Sequence, residues 1–147
     1  MRKLNIAIIG LGNIGSYLYK YLSDNKKILT EKNNCLPLVK YVSAKNKNKK
    51  RKIKIKKTQW LNNYLDATNL KNVDLIVELI GGSEGAAKKL VFTALKNKKH
   101  VVTANKALVA KYGDQLAIIA EKNKVNFEFE ASVCGGVPIV RSLKEGL

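Results

Sequence analysis

Gly10-x-Gly12-x-x-Gly15 interrupts an apolar run, Ile6-Ala7-Ile8-Ile9, and Ile14, Leu18, Tyr21 and Leu22 follow it at helical spacing. A strand that turns on three glycines into a helix can cradle a pyrophosphate. One glycine makes the tight turn, one lets the backbone approach the phosphates, and one lets the helix pack against the strand. The N–H groups and positive dipole end of the new helix then hold the anion. The spacing predicts a dinucleotide-binding turn with Gly10, Gly12, Asn13, Ile14 and Gly15 as cofactor contacts. Lys106, after Thr103-Ala104-Asn105, is the second residue placed for chemistry. It follows a strand end and opens a helix, where the dipole disfavours a cation, so a purely structural lysine is the poorer explanation.

These groups need a frame, and the rest of the chain supplies one in alternating strands and helices. Leu38–Ala44, Asp74–Ile80, Lys99–Thr103 and Val125–Phe129 read as four further strands. Leu90, Val91, Ala94 and Leu95 mark one helix; Leu108, Tyr112, Leu116, Ile119 and Ala120 mark another. Such βαβ alternation predicts an α/β fold, a doubly wound parallel sheet of the Rossmann-like NAD(P)-binding kind. Ligands on these sheets sit beyond the carboxyl ends of the strands. Segments 10–15, 43–46, 81–84, 103–106 and 130–138 should therefore converge, adding Gly82, Ser83 and Thr103 to the cofactor contacts.

The 147 residues suit one domain spanning 1–147. Lys and Arg number 28 against 11 acids, a net charge of +17. Ten of the basic residues fall within 40–57, which contains no acid, leaving eighteen basic against eleven acidic residues elsewhere. The basic loop at 45–57 has no interleaved aromatics for stacking on single strands and reads as a solvated loop, so nucleic acid is not an expected partner. No apolar run reaches the ~20 residues of a membrane span, and no cleavable leader follows Met1. A cytoplasmic protein is expected, with Cys35 and Cys134 as reduced thiols. No suitable base follows Cys134 to activate it as a nucleophile, since the only histidine, His100, is at a strand start, and both read as structural.

Three segments taken together carry a family resemblance. Val77-Glu-Leu-Ile-Gly-Gly82, Lys99-His-Val-Val-Thr-Ala-Asn-Lys-Ala-Leu-Val109 and Phe129-Glu-Ala-Ser-Val-Cys-Gly-Gly-Val-Pro-Ile139 resemble consecutive signatures of homoserine dehydrogenase. The resemblance implies NADP(H)- or NAD(H)-dependent interconversion of aspartate 4-semialdehyde and L-homoserine, in threonine and methionine biosynthesis. It implies that Lys106 faces substrate and nicotinamide, polarising the carbonyl or relaying a proton. It also implies a sodium ion held by oxygens of Glu130, Val133, Gly135 and Val137, mostly main-chain carbonyls. The family continues into a substrate and dimerisation domain where this sequence ends at Leu147, with 138–147 as the start of the link. The expectation is a fragment with its substrate domain missing, inactive alone, and a homodimer only at full length. Gly85 stands where the family commonly has a proline before a helix.

The cofactor choice turns on the end of the second strand. An NAD-selective site usually has an acid there for the ribose 2′-hydroxyl, whereas this strand ends Ser43-Ala44-Lys45-Asn46. Lys45, with Lys47 or Lys49, is suited to a 2′-phosphate, which favours NADP(H) over NAD(H). The competing reading is a non-catalytic nucleotide- or nucleic-acid-binding module.

Overall fold

The computed structural model describes residues 1–55, 58–133, 135 and 137–146. Lys56 and Lys57 of the basic loop, Cys134 and Gly136 of the glycine-rich loop, and Leu147 of the link lie outside the described residues.

Among the described residues six strands form one sheet: β1 (Arg2–Ile9), β2 (Cys35–Ser43), β3 (Gln59–Trp60), β4 (Leu75–Glu78), β5 (His100–Thr103) and β6 (Phe127–Glu128). Their order is β3-β2-β1-β4-β5-β6, and every neighbouring pair is parallel. The chain winds outward from β1 to β3, then returns to the middle and winds the other way. That reversal between β1 and β4 is the switch point of a doubly wound sheet, where a crevice opens beyond the strand ends.

β1 is apolar on both faces because both faces are covered. Ile6 and Ile8 pack with Leu11, Tyr19, Val42 and Val77 on the side of helix α1 (Asn13–Asp24). Ala7 and Ile9 face the other way, into a core with Ile76 and the buried stripes of α3 (Ala86–Lys96) and α4 (Lys106–Asn123). The α3 stripe is as expected, with Leu90, Val91, Ala94 and Leu95 fully buried. In α4, Leu108, Leu116 and Ala120 are buried while Tyr112 and Ile119 pack at the margin.

The α1 stripe differs from expectation. Gly15 and Tyr19 are its buried residues and Leu18 and Leu22 pack beside them, whereas Ile14 and Tyr21 are 64% and 43% exposed. The close approach of Gly15 to the glycine turn sets the helix's rotation, and the inward face follows as 15, 18, 19 and 22.

Some elements lack a sequence signal. Helix α2 (Lys26–Asn33) buries no residue, and β3 is only two residues long. Between β1 and β2 the register slips at Ile6/Ala7, pairing Ile6 with Val39 and Ala7 with Tyr41. The slip passes over Lys40, the one exposed residue of a strand otherwise buried or half-buried. β4 ends at Glu78 rather than at residue 80 because its carboxylate accepts the N–H groups of Ile80 and Gly81. β6 is shorter than expected because Val125 N–H donates to Ala120 and Asn126 N–H to His100 Nδ1. Residues 138–147 contribute one more helix, α5 (Ile139–Gly146).

Candidate functional site

Parallel strands deliver all their carboxyl ends to one edge, so the five polar or glycine-rich segments line the same side of the sheet. At the end of β1, Gly10 takes φ +108°, and a Cβ there would overlap the carbonyl group of Leu79. A Cβ on Gly15 would overlap the carbonyl oxygen of Gly10. Around Gly12 nothing lies within 4 Å of a Cβ position. The three glycines thus differ as the motif requires: one turns, one packs, and one faces open space where a phosphate has room. Gly12 also stands just before α1, whose start has no side-chain cap and no acid in its first turn. Asn13, Ile14 and Gly15 therefore present their N–H groups at an uncapped helix start, the arrangement that accommodates a pyrophosphate.

The end of β2 is tied to this turn, Gly10 N–H donating to the Ser43 carbonyl at 2.9 Å. Lys45 just beyond is exposed. Arg51, not singled out in the sequence, folds the basic loop back. Its Nε donates to the Leu11 carbonyl at 3.0 Å, and its terminal nitrogens to the carbonyls of Asn46 (2.7 Å), Lys47 (3.2 Å) and Lys49 (2.9 Å). The aromatic surface absent from the run itself comes from Trp60, with the Arg51 guanidinium 5.5 Å and Lys47 Nζ 5.9 Å from its ring centre. Arg51 is the lone arginine among the ten basic residues of 40–57, and its planar fork of donors suits several carbonyls at once.

Beyond β4, Gly81 and Gly82 are exposed at φ +87° and +79°, and Ser83 is half-buried. Gly85, at φ +69° just before α3, adopts a backbone that a proline ring forbids. Glu84 accepts from Lys111 (2.6 Å), Tyr112 and Lys88 (3.3 Å). Those donors, Lys111 foremost, hold its carboxyl at about 2, against 4.5 ordinarily. They fasten this loop to α3 and α4.

At the end of β5, Thr103 is fully buried, its hydroxyl donating to Glu78 and accepting Asn105 N–H at 3.0 Å. Asn105 caps α4 through Leu108 N–H (3.1 Å), and its side-chain NH₂ donates to the Gly82 carbonyl at 2.6 Å. Lys106 is the first residue of α4 and is exposed. Shielding of its ammonium from water would have to come from a bound ligand or from groups outside this chain. Thr103 and Lys106 thus lie on one loop that Asn105 joins to Gly82.

Beyond β6, a short 3-10 turn (Glu130–Ser132) returns to the sheet, Ser132 Oγ donating to the Thr103 carbonyl at 3.2 Å. The Glu130 carboxylate accepts Val140 and Arg141 N–H, both at 3.1 Å, and so caps α5. The carbonyls of Glu130 and Val137 accept Val133 and Ile139 N–H. Gly135 takes φ +62°. Among the described residues no three His, Cys, Asp or Glu side chains cluster to hold a metal, so any cation here would depend on main-chain oxygens. Cys35 is a half-buried free thiol, and no helix among the described residues is long and apolar enough to cross a membrane.

Comparison with known proteins adds a family. Residues 10–130 match the model of the homoserine dehydrogenase NAD-binding domain. The chain is 40% identical over all 147 residues to homoserine dehydrogenase of Bacillus subtilis and 37% identical to that of Neisseria gonorrhoeae. It covers 34% and 33% of those proteins, about a third of their length. The solved homoserine dehydrogenase of Thiobacillus denitrificans superposes on the whole chain with a TM-score of 0.90 at 37% identity, the chain covering 34% of it. The S. aureus enzyme at pH 7.5 superposes on 90% of the chain with a TM-score of 0.83 at 39% identity, over 34% of its own length.

Proposed function

Because the chain belongs to the homoserine dehydrogenase family and spans its NAD-binding domain, we propose that it holds NADP(H) along the carboxyl edge of its sheet. There it serves the interconversion of aspartate 4-semialdehyde and L-homoserine, together with a substrate-binding portion outside these 147 residues. The observation that carries this reading is the convergence of an open, uncapped glycine turn with Lys106, whose loop Asn105 joins to Gly82. The dinucleotide, when bound, supplies or accepts the hydride. The N–H groups at 13–15 hold its pyrophosphate, Gly82, Ser83 and Lys106 border its nicotinamide half with the fully buried Thr103 behind them, and Lys45 meets the 2′-phosphate. No acid follows β2 to prefer a 2′-hydroxyl.

Lys106 polarises the substrate carbonyl or moves its proton. Its exposure leaves the ammonium accessible from the open side of the crevice. Closing the site over it would exclude water from the reacting centre. Glu130, Val133, Gly135 and Val137 hold a sodium ion through carbonyl oxygens, a donor type that suits a hard cation. The free thiol of Cys35 suits a reducing, cytoplasmic setting, and pairing of two copies belongs to a longer protein.

Calorimetry with NADPH and NADH tests the cofactor assignment. NADPH should bind more tightly, and Lys45→Ala should erase the difference. Equal affinities in the wild type would remove Lys45 from the site. In a chain joined to a family substrate domain, Lys106→Ala should lower kcat by ~10²-fold or more with little change in NADPH affinity. A near-normal kcat would remove Lys106 from the mechanism.

A further inference from the structure

Glu78 is the one fully buried charged residue among the described residues. It ends β4 in the middle of the sheet, paired with Ile9 on one side and Thr103 on the other. Its accessible surface is zero, so it cannot touch a bound dinucleotide. Burying a carboxylate is costly unless directed donors satisfy it. No cation is among those donors: Oε1 accepts Ile80 N–H at 2.7 Å and Gly81 N–H at 3.3 Å, and Oε2 accepts the Thr103 hydroxyl.

A carboxylate only accepts, so the Thr103 proton points to Glu78 and a Thr103 lone pair is left for Asn105 N–H. Asn105 is thereby fixed, and it reaches back to the Gly82 carbonyl while capping α4. The bonds close a ring: Glu78 to 80–81, along the chain to Gly82, across to Asn105, to Thr103 and back to Glu78. Networks of this kind, with every member satisfied, make a backbone arrangement unique rather than merely stable. An apolar residue would fill the same place in the strand but could not join the two loops.

We propose that Glu78 is a positioning residue that locks loops 80–82 and 103–105 into one rigid lip. That lip receives the nicotinamide half of the dinucleotide and aims Lys106 at it. The inference rests on the dinucleotide reading above. The two halves of the ligand separate its consequences, because the adenosine half lies towards β2, away from the ring, and the nicotinamide half lies over β4 and β5.

The test uses the 147-residue chain with Glu78→Ala, Glu78→Gln and Thr103→Val, titrated with NADPH and with 2′,5′-ADP, which lacks the nicotinamide half. Thermal melting is followed in parallel. Glu78→Ala and Thr103→Val should each weaken NADPH roughly tenfold, the scale of a buried polar group losing its partner. Glu78→Gln should fall between them and wild type, keeping an oxygen for Ile80 and Gly81 but turning a donor towards Thr103. The double variant Glu78→Ala/Thr103→Val should be no weaker than the worse single one, because both break one ring. Affinity for 2′,5′-ADP should stay within about twofold throughout, as expected for a site that shares no partner with the ring.

Unchanged NADPH affinity in all variants overturns the proposal. So does parallel loss of both ligands with a falling melting temperature, which would make Glu78 merely structural. If Glu78→Ala does not fold, Thr103→Val decides by the same criteria. A wild-type chain that binds 2′,5′-ADP and NADPH while the variants match it refutes only the role of Glu78. One that binds neither refutes the dinucleotide reading as well.

Discussion

The two edges of the sheet use polar groups in opposite ways. At the amino edge they satisfy one another. Asp74 accepts both the backbone N–H and the side-chain NH₂ of Asn5, at 2.7 and 2.9 Å. Lys99 Nζ donates to the carbonyls of Leu70 (2.7 Å) and Val73 (2.8 Å), burial pushing its pKa down against the pull of Asp74. His100 accepts Asn126 N–H at 3.0 Å. At the carboxyl edge the turns rest on glycines, α1 begins uncapped, and the side-chain bonds run between loops. The first arrangement closes an edge; the second keeps one open and shaped for a ligand.

The largest effect should come from the turn. Gly15→Ala drives a Cβ into the Gly10 carbonyl oxygen, so a loss of about 3 kcal/mol or more in denaturant melts is expected, with NADPH binding abolished. Gly12→Ala meets nothing within 4 Å and should melt like wild type while binding NADPH more weakly. If the two variants melt alike, the division of labour among the glycines fails.

At the opposite edge, Asp74→Ala strands both Asn5 donors and should cost about 2 kcal/mol in the same assay. NADPH affinity should not change. A variant that folds well but binds poorly would break the contrast between the edges.

The smallest effect is one of pH. The Glu84 carboxyl is held at about 2, below its ordinary 4.5, by Lys111, Tyr112 and Lys88. A depressed acid stabilises the fold fully above 4.5 and loses that contribution as pH falls towards 2. Solvent screening keeps it modest, since the side chain is half-exposed. Melting temperatures from pH 5 to 2 should show wild type converging on Glu84→Gln. Parallel curves would mean that the contacts of Glu84 do not hold the 81–85 loop.

Much of the architecture was legible because it depends on short-range pattern. The apolar run before Gly10, the stripes of α3 and α4 and the glycine spacing each report a local conformation. Signals failed where a distant contact decides. Ile14 and Tyr21 fit a helical stripe, but the approach of Gly15 to Gly10 turns them outward. Helix α2 has no buried face to betray it. Glu78 was legible only as a charge inside Leu75-Ile-Val-Glu-Leu-Ile80; its ring forms with residues 25 positions away. Arg51 stands out in the lysine run as its one arginine, but its partner, the Leu11 carbonyl 40 positions back, does not.

The wall behind the glycine turn sets an order in time. Leu79 bounds the space of Gly10, and β1 joins β4 beside the Asn5–Asp74 bond, whose partners lie 69 positions apart. Closing so long a loop has an entropic cost that nearby contacts avoid, and parallel pairing offers no hairpin shortcut. During synthesis β1 and β2 are made first, but the turn between them has no backing until β4 arrives. The segment most recognisable on paper is therefore among the last to become a site. A dinucleotide that binds only the finished turn draws the folding equilibrium towards complete molecules, by an amount set by its concentration relative to its Kd.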